Sequence, residues 1–237
     1  MFITQDYSKY TAEDHLVWSM LCERRLPALR TTACAEFLKG LDLIGLDPRR
    51  VPKIEDINAR LKPLTGWQAV PVPGYLPAHD FFEALSERRF PTTITVRPMK
   101  KLDYLPEPDI FHDVFGHVPL HSNPVFADFL QHYGRVALQT HGEQELTELA
   151  RLFWFTVEFG LIRENGQIKL FGSGLMSSAG EGPHALCDEV EKRNFDLHAV
   201  IKQSFEIDHY QPLLFVIDSF EQLYEAVEEW AHHAAAA

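Results

Sequence analysis

Two histidines flanking a glycine within residues 106–120 constrain this chain more than any other feature. Pro108 suits the first turn of a helix, because the backbone N–H that proline lacks would have no partner within the helix at that position. The acidic residues on either side of it also suit this turn, because the helix dipole stabilises negative charge there. Four residues separate His112 from His117, so a continuous α-helix would direct their rings about 140° apart. We therefore expect Gly116 to end the helix in a left-handed C-cap that turns His117 back, with the proline two residues later preventing the helix from resuming. The segment then offers two imidazoles to one metal ion.

A third metal ligand is predicted at Glu158, within the aromatic and aliphatic run of residues 149–162. Apolar residues recur at helical spacing on both faces of this run, which is typical of a helix buried nearly all round. A carboxylate there costs on the order of several kcal/mol unless a cation lies beside it. The other interpretations are an ion pair with Arg151 or Arg163, or a carboxylate that reaches water near the helix end. For His112 and His117, the alternative interpretation is that they are two unrelated histidines at the end of a helix.

Two imidazoles and one carboxylate, with three positions open, form the arrangement of non-haem iron(II) enzymes that activate dioxygen. Catalytic zinc accepts the same three ligands with an open position for water, so ligand identity alone leaves both metals open. A zinc protease would place a glutamate beside the first histidine and three residues between the histidines. This chain has Asp113 beside His112 and four residues between the histidines, which departs from that pattern.

Composition predicts one domain with small-molecule partners. At 237 residues and 46% hydrophobic content, a single domain over residues 1–237 can bury a substantial core, with residues 1–9 and 233–237 expected to be flexible ends. The net charge of −12 argues against nucleic acid or an anionic membrane as partner. Three cysteines without close spacing, and no signal-peptide or membrane-spanning run, indicate a reduced, cytoplasmic protein. We expect a monomer or a weak dimer.

Hydrophobic periodicity predicts a mainly α fold with a small β content. Helices are expected at residues 11–26, 32–44, 54–62, 78–89, 124–141, 145–159 and 219–232. Strands are expected at residues 92–97, 168–171 and 213–217. Thr11 and Asp14 match a capping box at the start of the first helix. No internal repeat and no glycine/serine linker divides the chain.

Two long motifs resemble those of a known family, the pterin-dependent aromatic amino-acid hydroxylases. Residues 104–125, with a Pro-Glu-Pro-Asp entry and a Gly-His-Val-Pro exit, resemble the iron-binding signature of this family. Residues 154–161 resemble its glutamate-bearing helix. The likeness extends over about residues 10–224, and the chain is similar to an isolated catalytic core of the compact bacterial type, without a regulatory extension. The resemblance implies the single-domain catalytic fold of that family.

The resemblance also implies roles for individual residues at the metal and the substrate. The iron ligands would be His112, His117 and Glu158. Arg97 would grip the substrate carboxylate, with Asp109 holding its guanidinium, and the planar fork of arginine suits a carboxylate. The positions around the substrate ring and its amino-acid head would be Pro106, Trp154, Gly174 and Ser177.

A pterin platform is implied by the resemblance of the turn at residues 72–76 and of the helix after it. The residues expected to contact the pterin are Gly74, Tyr75, Leu76, Phe81, Asp113 and Phe153. Three positions depart from the family pattern. Asp113 stands where the family usually has a glutamate, and Ala78 and Phe153 stand where serine and tyrosine are common.

The function implied by the resemblance is hydroxylation of L-phenylalanine to L-tyrosine by dioxygen, with iron(II) and a tetrahydropterin, tetrahydrobiopterin or similar, as cofactors. Val216 supports phenylalanine as substrate, because its position in the family is apolar in phenylalanine hydroxylases and acidic in tyrosine hydroxylases. The alternatives are a tryptophan or other aromatic amino-acid hydroxylase of the same family. Outside the family, they are a zinc hydrolase with the same three ligands, and a noncatalytic module that binds aromatic amino acids or pterins.

Overall fold

Helices dominate the computed structural model, which describes residues 2–103 and 107–236. The prediction of a mainly α fold with a small β content is confirmed. The α-helices of the described residues are α1 Ala12–Thr32, α2 Ala35–Ile44, α3 Ile54–Thr65, α4 Ala78–Ser86, α5 Pro124–Ala137, α6 Glu143–Phe153, α7 Ser173–Ser177, α8 Glu181–Leu186, α9 Leu197–Val200 and α10 Glu221–Ala236. Two π-helical turns, Phe111–His117 and Trp154–Glu158, carry the candidate metal ligands.

Six short strands form two sheets within the described residues. Their bounds are β1 Gln68–Val72, β2 Arg89–Thr93, β3 Leu161–Glu164, β4 Gln167–Leu170, β5 Glu191–Asn194 and β6 Leu213–Ile217. Strands β1 and β2 pair in parallel. The other four lie in the order β4-β3-β6-β5, with β3 antiparallel to β4 and parallel to β6, and β6 parallel to β5. Strand β6 has all five residues buried, as expected for a central strand.

The packing of the helices positions the two π-helical turns. Helix α5 packs between α4 and α10, and α2 packs against the 3-10 turn Val118–Ser122, which continues the first π-helical turn. The short helix α7 packs against both π-helical turns, so it connects the two segments that carry the candidate ligands. The hydrophobic core is continuous through these elements, and it includes Phe111 and Phe115 of the first turn and Phe155 of the second.

Helix starts follow the sequence prediction more closely than helix ends. The predicted capping box is present at α1, where Thr11 Oγ1 accepts from the Asp14 amide and the Asp14 carboxylate accepts from the Thr11 amide. The predicted end of this helix at residue 26 is wrong, because α1 continues through Pro27 to Thr32. Leu29 beyond the proline is fully buried, so packing outweighs the lost hydrogen bond.

The predicted strand at residues 92–97 is displaced towards the N-terminus. Strand β2 pairs with β1 only as far as Thr93, whose partner is Val72. Beyond this point the chain makes other contacts, because the Thr95 carbonyl accepts from the Ile110 amide at 2.9 Å. Residues 94–97 therefore leave the sheet and lead towards Asp109, whose carboxylate accepts from the Arg97 amide at 3.1 Å.

No helix of the described residues has both the length and the apolar character needed to cross a membrane.

Candidate metal centre and active site

A π-helical turn brings the two histidines together. Hydrogen bonds from residue i to i+5 replace those to i+4 in such a turn, so residues five apart lie near the same face. His112 and His117 are five apart, and their Nε2 atoms lie 3.2 Å from each other. The predicted left-handed cap at Gly116 is wrong, because Gly116 is not among the glycines of the described residues that have a positive φ. Pro119 does not stop the helical path either, because the chain continues in a 3-10 turn.

Gly116 has a different role, which is to permit a close approach of α7. A Cβ atom built on Gly116 would lie 2.9 Å from the Ser173 carbonyl oxygen and 3.3 Å from the Ser173 Cβ. The first of these separations is shorter than real Cβ contacts allow. The glycine is therefore required by packing between the π-helical turn and α7, and not by backbone conformation.

Glu158 completes the cluster from the second π-helical turn. Its Oε1 lies 3.1 Å from His117 Nε2, and its Oε2 lies 3.6 Å from His112 Nε2. The two arginines considered as alternative partners are engaged elsewhere, because Arg151 donates to the Ile201 carbonyl and Arg163 donates to Asp218 and Asn194. The carboxylate is thus directed at the two imidazoles.

Asp113 is the competing candidate for the third position. One of its carboxylate oxygens lies within 4.8 Å of a ligating nitrogen of each histidine. However, Asp113 Oδ2 accepts hydrogen bonds from both the amide and the hydroxyl of Thr93, each at 2.7 Å. Glu158 lies closer to both imidazoles and is therefore the better third donor.

The three donor side chains fit one metal ion. Nitrogen and oxygen ligands bind at about 2.0–2.2 Å, so two donors at right angles around one ion lie about 3 Å apart. His117 Nε2 lies 3.2 Å from His112 Nε2 and 3.1 Å from Glu158 Oε1, which agrees with this requirement, and the other carboxylate oxygen, Oε2, lies 3.6 Å from His112 Nε2. Burial raises the pKa of Glu158, but the charge of His117 and the hydrogen bond with it, together with His112, bring that pKa down to about 2. The donor is therefore an ionised carboxylate, which suits iron or zinc.

Helix α7 orients two of the three donor side chains. Ser177 Oγ lies 2.9 Å from His112 Nδ1, so it fixes the ring and leaves Nε2 to face the cluster. Ser173 Oγ donates to Glu158 Oε2 at 2.7 Å. The family resemblance implies a place for Ser177 near the substrate and implies no role for Ser173. Ser173 could have been found only from its tertiary contact, because the Gly-Ser-Gly context of the chain is typical of an ordinary turn.

A large cavity of about 750 Å³ opens on one side of the donor atoms. Among the predicted substrate residues, those that line it are Arg97, Trp154, Gly174 and Ser177, together with His112 and Glu158. Arg97 donates from Nε and Nη2 to the two oxygens of the buried Asp109, at 2.8 and 2.9 Å. Burial raises the pKa of Asp109, but the hydrogen bonds and charge of Arg97 outweigh it and hold that pKa below its usual value. Pro106, also predicted here, lies outside the described residues.

Trp154 forms an aromatic wall of this cavity, which Glu158 also lines. Its ring stacks on Phe205, with centroids 4.3 Å apart and an interplanar angle of 11°. Its Nε1 donates to the side-chain oxygen of Gln211 at 3.2 Å. The indole is thus held on two sides, and its remaining surface faces the cavity.

A smaller cavity of about 160 Å³ lies on the other side of the donor atoms. All six residues predicted to contact the pterin line it, namely Gly74, Tyr75, Leu76, Phe81, Asp113 and Phe153. His112, His117 and Glu158 also line it. Since His112 and Glu158 border both cavities, the two spaces meet at the cluster.

The profile of the biopterin-dependent aromatic amino acid hydroxylases matches residues 5–236, and the chain belongs to this family. The phenylalanine-4-hydroxylase of Ralstonia nicotianae is 47% identical over 223 residues, which are 94% of this chain and 71% of that protein. The phenylalanine-4-hydroxylase of Chromobacterium violaceum is 44% identical over 225 residues, which are 94% of this chain and 76% of that protein.

A solved structure of the Chromobacterium violaceum phenylalanine hydroxylase has bound iron(III) and the oxidized cofactor 7,8-dihydrobiopterin. It matches this chain with a TM-score of 0.94 at 43% identity, over 100% of this chain and 87% of that one. The family and the catalytic fold that the two sequence motifs predicted are confirmed.

Proposed function

We propose that this chain is an iron(II)- and tetrahydropterin-dependent monooxygenase that hydroxylates L-phenylalanine to L-tyrosine with dioxygen. The observation that carries the proposal is that two cavities meet at His112 and Glu158. One cavity presents an arginine suited to a carboxylate, and the other has aromatic walls suited to a flat heterocycle. An enzyme that joins an amino acid, oxygen and a pterin at one metal requires this arrangement.

Arg97 binds the substrate carboxylate in this proposal. Asp109 occupies the Nε and Nη2 side of the guanidinium through two hydrogen bonds and thereby fixes its plane. Nη1 also donates to the Leu102 carbonyl at 3.3 Å. The remaining N–H groups of Nη1 and Nη2 can donate to the carboxylate of the amino acid. With the carboxylate held at Arg97 and the ring against Trp154, the aromatic carbon to be hydroxylated is directed towards the cluster.

The smaller cavity binds the pterin in this proposal. Phe81 and Phe153 lie edge to face with centroids 5.8 Å apart, and they offer aromatic surface to the pterin ring. A Cβ built on Gly74 meets no atom within 4 Å, so the backbone there is open to a ligand. Asp113 is held in place by Thr93 and borders the same cavity, where it can accept from a ring N–H of the pterin.

His112, His117 and Glu158 would hold the metal, and both cavities border His112 and Glu158. When bound, iron and tetrahydropterin would supply the activation of dioxygen for hydroxylation of the aromatic ring. The chain holds the reactants in contact and limits access of water. Phe90, which lies 4.6 Å from the His117 ring, covers the buried side of that ligand.

Phenylalanine is favoured as the substrate by two observations. The two relatives described above are phenylalanine-4-hydroxylases at 47% and 44% identity. Val216 is 3% exposed on strand β6 and presents no charge at the position that is acidic in tyrosine hydroxylases. The proposal includes one catalytic domain over residues 1–237, a cytoplasmic location, and a monomer or weak dimer as the working form.

The test is aerobic incubation with iron(II), tetrahydrobiopterin and each of L-phenylalanine, L-tyrosine and L-tryptophan. We expect L-tyrosine from phenylalanine, in step with oxygen uptake and pterin consumption, with slower reaction of the other two. Products identified by mass spectrometry and chromatography also give the ring position of the new hydroxyl group. Oxygen-independent hydrolysis would favour a zinc hydrolase, and binding of phenylalanine or pterin without oxygen uptake would favour a noncatalytic module.

A further inference from the structure

A second cluster of imidazole and carboxylate groups lies at the surface, between helices α9 and α10. It consists of His198 on α9 and of Glu229 and His233 on α10. One ligand atom from each residue lies within 4.8 Å of a ligand atom from each of the other two. None of the three residues lines either cavity described above, so the cluster is separate from the candidate active site.

The positions of these three residues suit a single metal ion. Glu229 and His233 are four residues apart, so they lie one turn apart on the same face of α10. Glu229 Oε1 lies 3.3 Å from His198 Nε2 and 4.0 Å from His233 Nε2. Donors bound at about 2.0–2.2 Å in tetrahedral directions lie about 3.5 Å apart. The shorter separation fits this arrangement, and the longer one requires a shift of about half an ångström, which an exposed histidine can make by rotation about its side-chain bonds.

The two helices that carry the cluster are both held against α6. Arg151 of α6 donates from Nη1 to the carbonyl oxygen of Ile201, which follows α9, at 2.8 Å. Trp230 of α10 donates from Nε1 to the carboxylate of Glu148 on α6 at 2.9 Å. Trp230 and Leu197 of α9 are also buried in the core. The backbone at the cluster is therefore fixed in advance, and a metal would have to order only three side chains.

Ion pairing alone gives a weak physical reason for this convergence. The side chains of His198, Glu229 and His233 are 52%, 51% and 65% exposed, and exposed ion pairs contribute little to stability. The surroundings favour a cation. Glu225 lies one turn before Glu229 on the same face of α10, and the whole chain has a net charge of −12. Two imidazoles and one carboxylate are a ligand set that zinc accepts, with water at the fourth position.

We propose that His198, Glu229 and His233 bind a divalent transition-metal ion, for which zinc is the best match, and that this ion links α9 to the C-terminal part of α10. The role of the ion is structural. Helix α9 has only four residues, and so short a helix has little stability of its own. The site is independent of the proposed function, because its ligands contribute nothing to either cavity.

His232 provides a matched control on the same helix. It is the neighbour of His233, its side chain is 84% exposed, and its Nε2 lies 4.0 Å from Glu228 Oε2. The spacing from carboxylate to imidazole is therefore the same as in the pair of Glu229 and His233. His232 is not part of the cluster, so its loss should leave the metal site intact.

The experiment is a titration with zinc sulfate in competition with a chromophoric chelator. All proteins carry His112→Ala, because this change removes a donor from the catalytic cluster, where zinc would otherwise also bind. This parent is compared with two variants that also carry His198→Ala or His233→Ala, and with the control that also carries His232→Ala. The added changes replace exposed side chains, and circular dichroism checks that the fold is kept.

We expect the parent and the His232→Ala control to bind one zinc ion per chain with the same affinity. Loss of an outer contact of a metal ligand already weakens metal binding by about 10–100-fold, so His198→Ala and His233→Ala should each weaken it at least as much. Zinc should also raise the midpoint of urea unfolding of the parent and the control, but not of these two variants, because a ligand stabilises only the folded protein that binds it.

Absence of zinc binding in the parent, equal binding in all four proteins, or an equal loss with His232→Ala would each overturn the proposed site. In a background without His112→Ala, the His233→Ala protein should form tyrosine at the wild-type rate. The zinc titration does not depend on the catalytic cluster, so its failure would leave the proposed function intact. Failure of the hydroxylation assay would likewise leave the zinc site intact.

Discussion

His117 Nε2 lies 3.1 Å from Glu158 Oε1, although the two side chains belong to separate π-helical turns. Each turn is a local departure from α-helical geometry, and such departures are frequent at functional sites. The first turn lets residues five apart face one point, and the second ends at the glutamate. Helix α7 packs against both, so the cluster depends on the packing of three short segments.

The first prediction concerns metal content. Replacing His112 or His117 with alanine removes one of three donors, so each variant should lose bound iron and all measurable turnover. The matched control is His79→Ala, whose ring is largely exposed on α4 and lies outside both cavities. Iron is measured after desalting, with activity measured in parallel. Full turnover in metal-depleted protein, or in either ligand variant, would show that the cluster is not the reaction centre.

The donor cluster could be predicted from sequence to a considerable extent. His112 and His117 are close in the chain, and a carboxylate such as Glu158 inside an apolar helix requires a cation wherever it lies. The way in which these side chains meet could not be predicted. A π-helical turn is selected by tertiary packing, here by the approach of α7 to Gly116, and helical periodicity does not encode it.

The contacts that orient the donors were harder to predict for the same reason. Ser173 and Thr93 act through partners that lie 15 and 20 residues away, and neither stands in a pattern that singles it out. Strand β5 was missed because its four residues are charged or polar and largely exposed, so they lack the alternation of a half-buried strand. The long amphipathic helices were found, since their periodicity reflects burial directly.

The second prediction concerns the support of α7. Arg25→Met should lower the free energy of unfolding by about 1–3 kcal/mol, because the buried carbonyls of Leu175 and Met176 lose their donors. The neighbouring Arg24→Met is the control. Arg24 pairs with a mostly exposed Asp103, and the loss of a surface ion pair costs at most about 1 kcal/mol. Urea unfolding of the metal-free proteins measures both, and equal losses would contradict the assigned support.

The third prediction concerns pH and Glu181. Burial raises the pKa of the Glu181 carboxyl from 4.5 to about 7. Between these values the unfolded chain has released a proton that the folded protein still binds, so this group lowers the stability of the fold as the pH rises through that window. Glu181→Gln cannot ionise. The free energy of unfolding of Glu181→Gln minus that of the wild type should therefore be larger at about pH 8 than at about pH 5.

The measurement for Glu181 is urea unfolding of both proteins at the two pH values, with Glu189→Gln as the control. Glu189 is an exposed carboxylate whose pKa lies below its usual value, mainly because of a hydrogen bond with Cys187. It therefore ionises at lower pH, and its replacement should give the same difference from the wild type at both values. If the difference between Glu181→Gln and the wild type did not change with pH, the raised pKa would be wrong.

The last prediction separates metal chemistry from substrate positioning by comparing Glu158→Gln with Arg97→Lys. Glutamine keeps the shape of the side chain but removes the charge that balances the metal, so iron affinity and oxygen activation should fall together. A saturating concentration of phenylalanine should not restore the rate. In Arg97→Lys the charge remains but the two-pronged contact with the carboxylate is lost, so iron content should stay normal while KM for phenylalanine rises about tenfold or more. A loosely held ring also meets the oxidant less often in the right geometry, so less tyrosine should form per pterin consumed. Iron content, the dependence of the rate on phenylalanine and the tyrosine-to-pterin ratio are measured for both variants. If Arg97→Lys lost its iron while Glu158→Gln kept both iron and turnover, the assigned roles would be wrong.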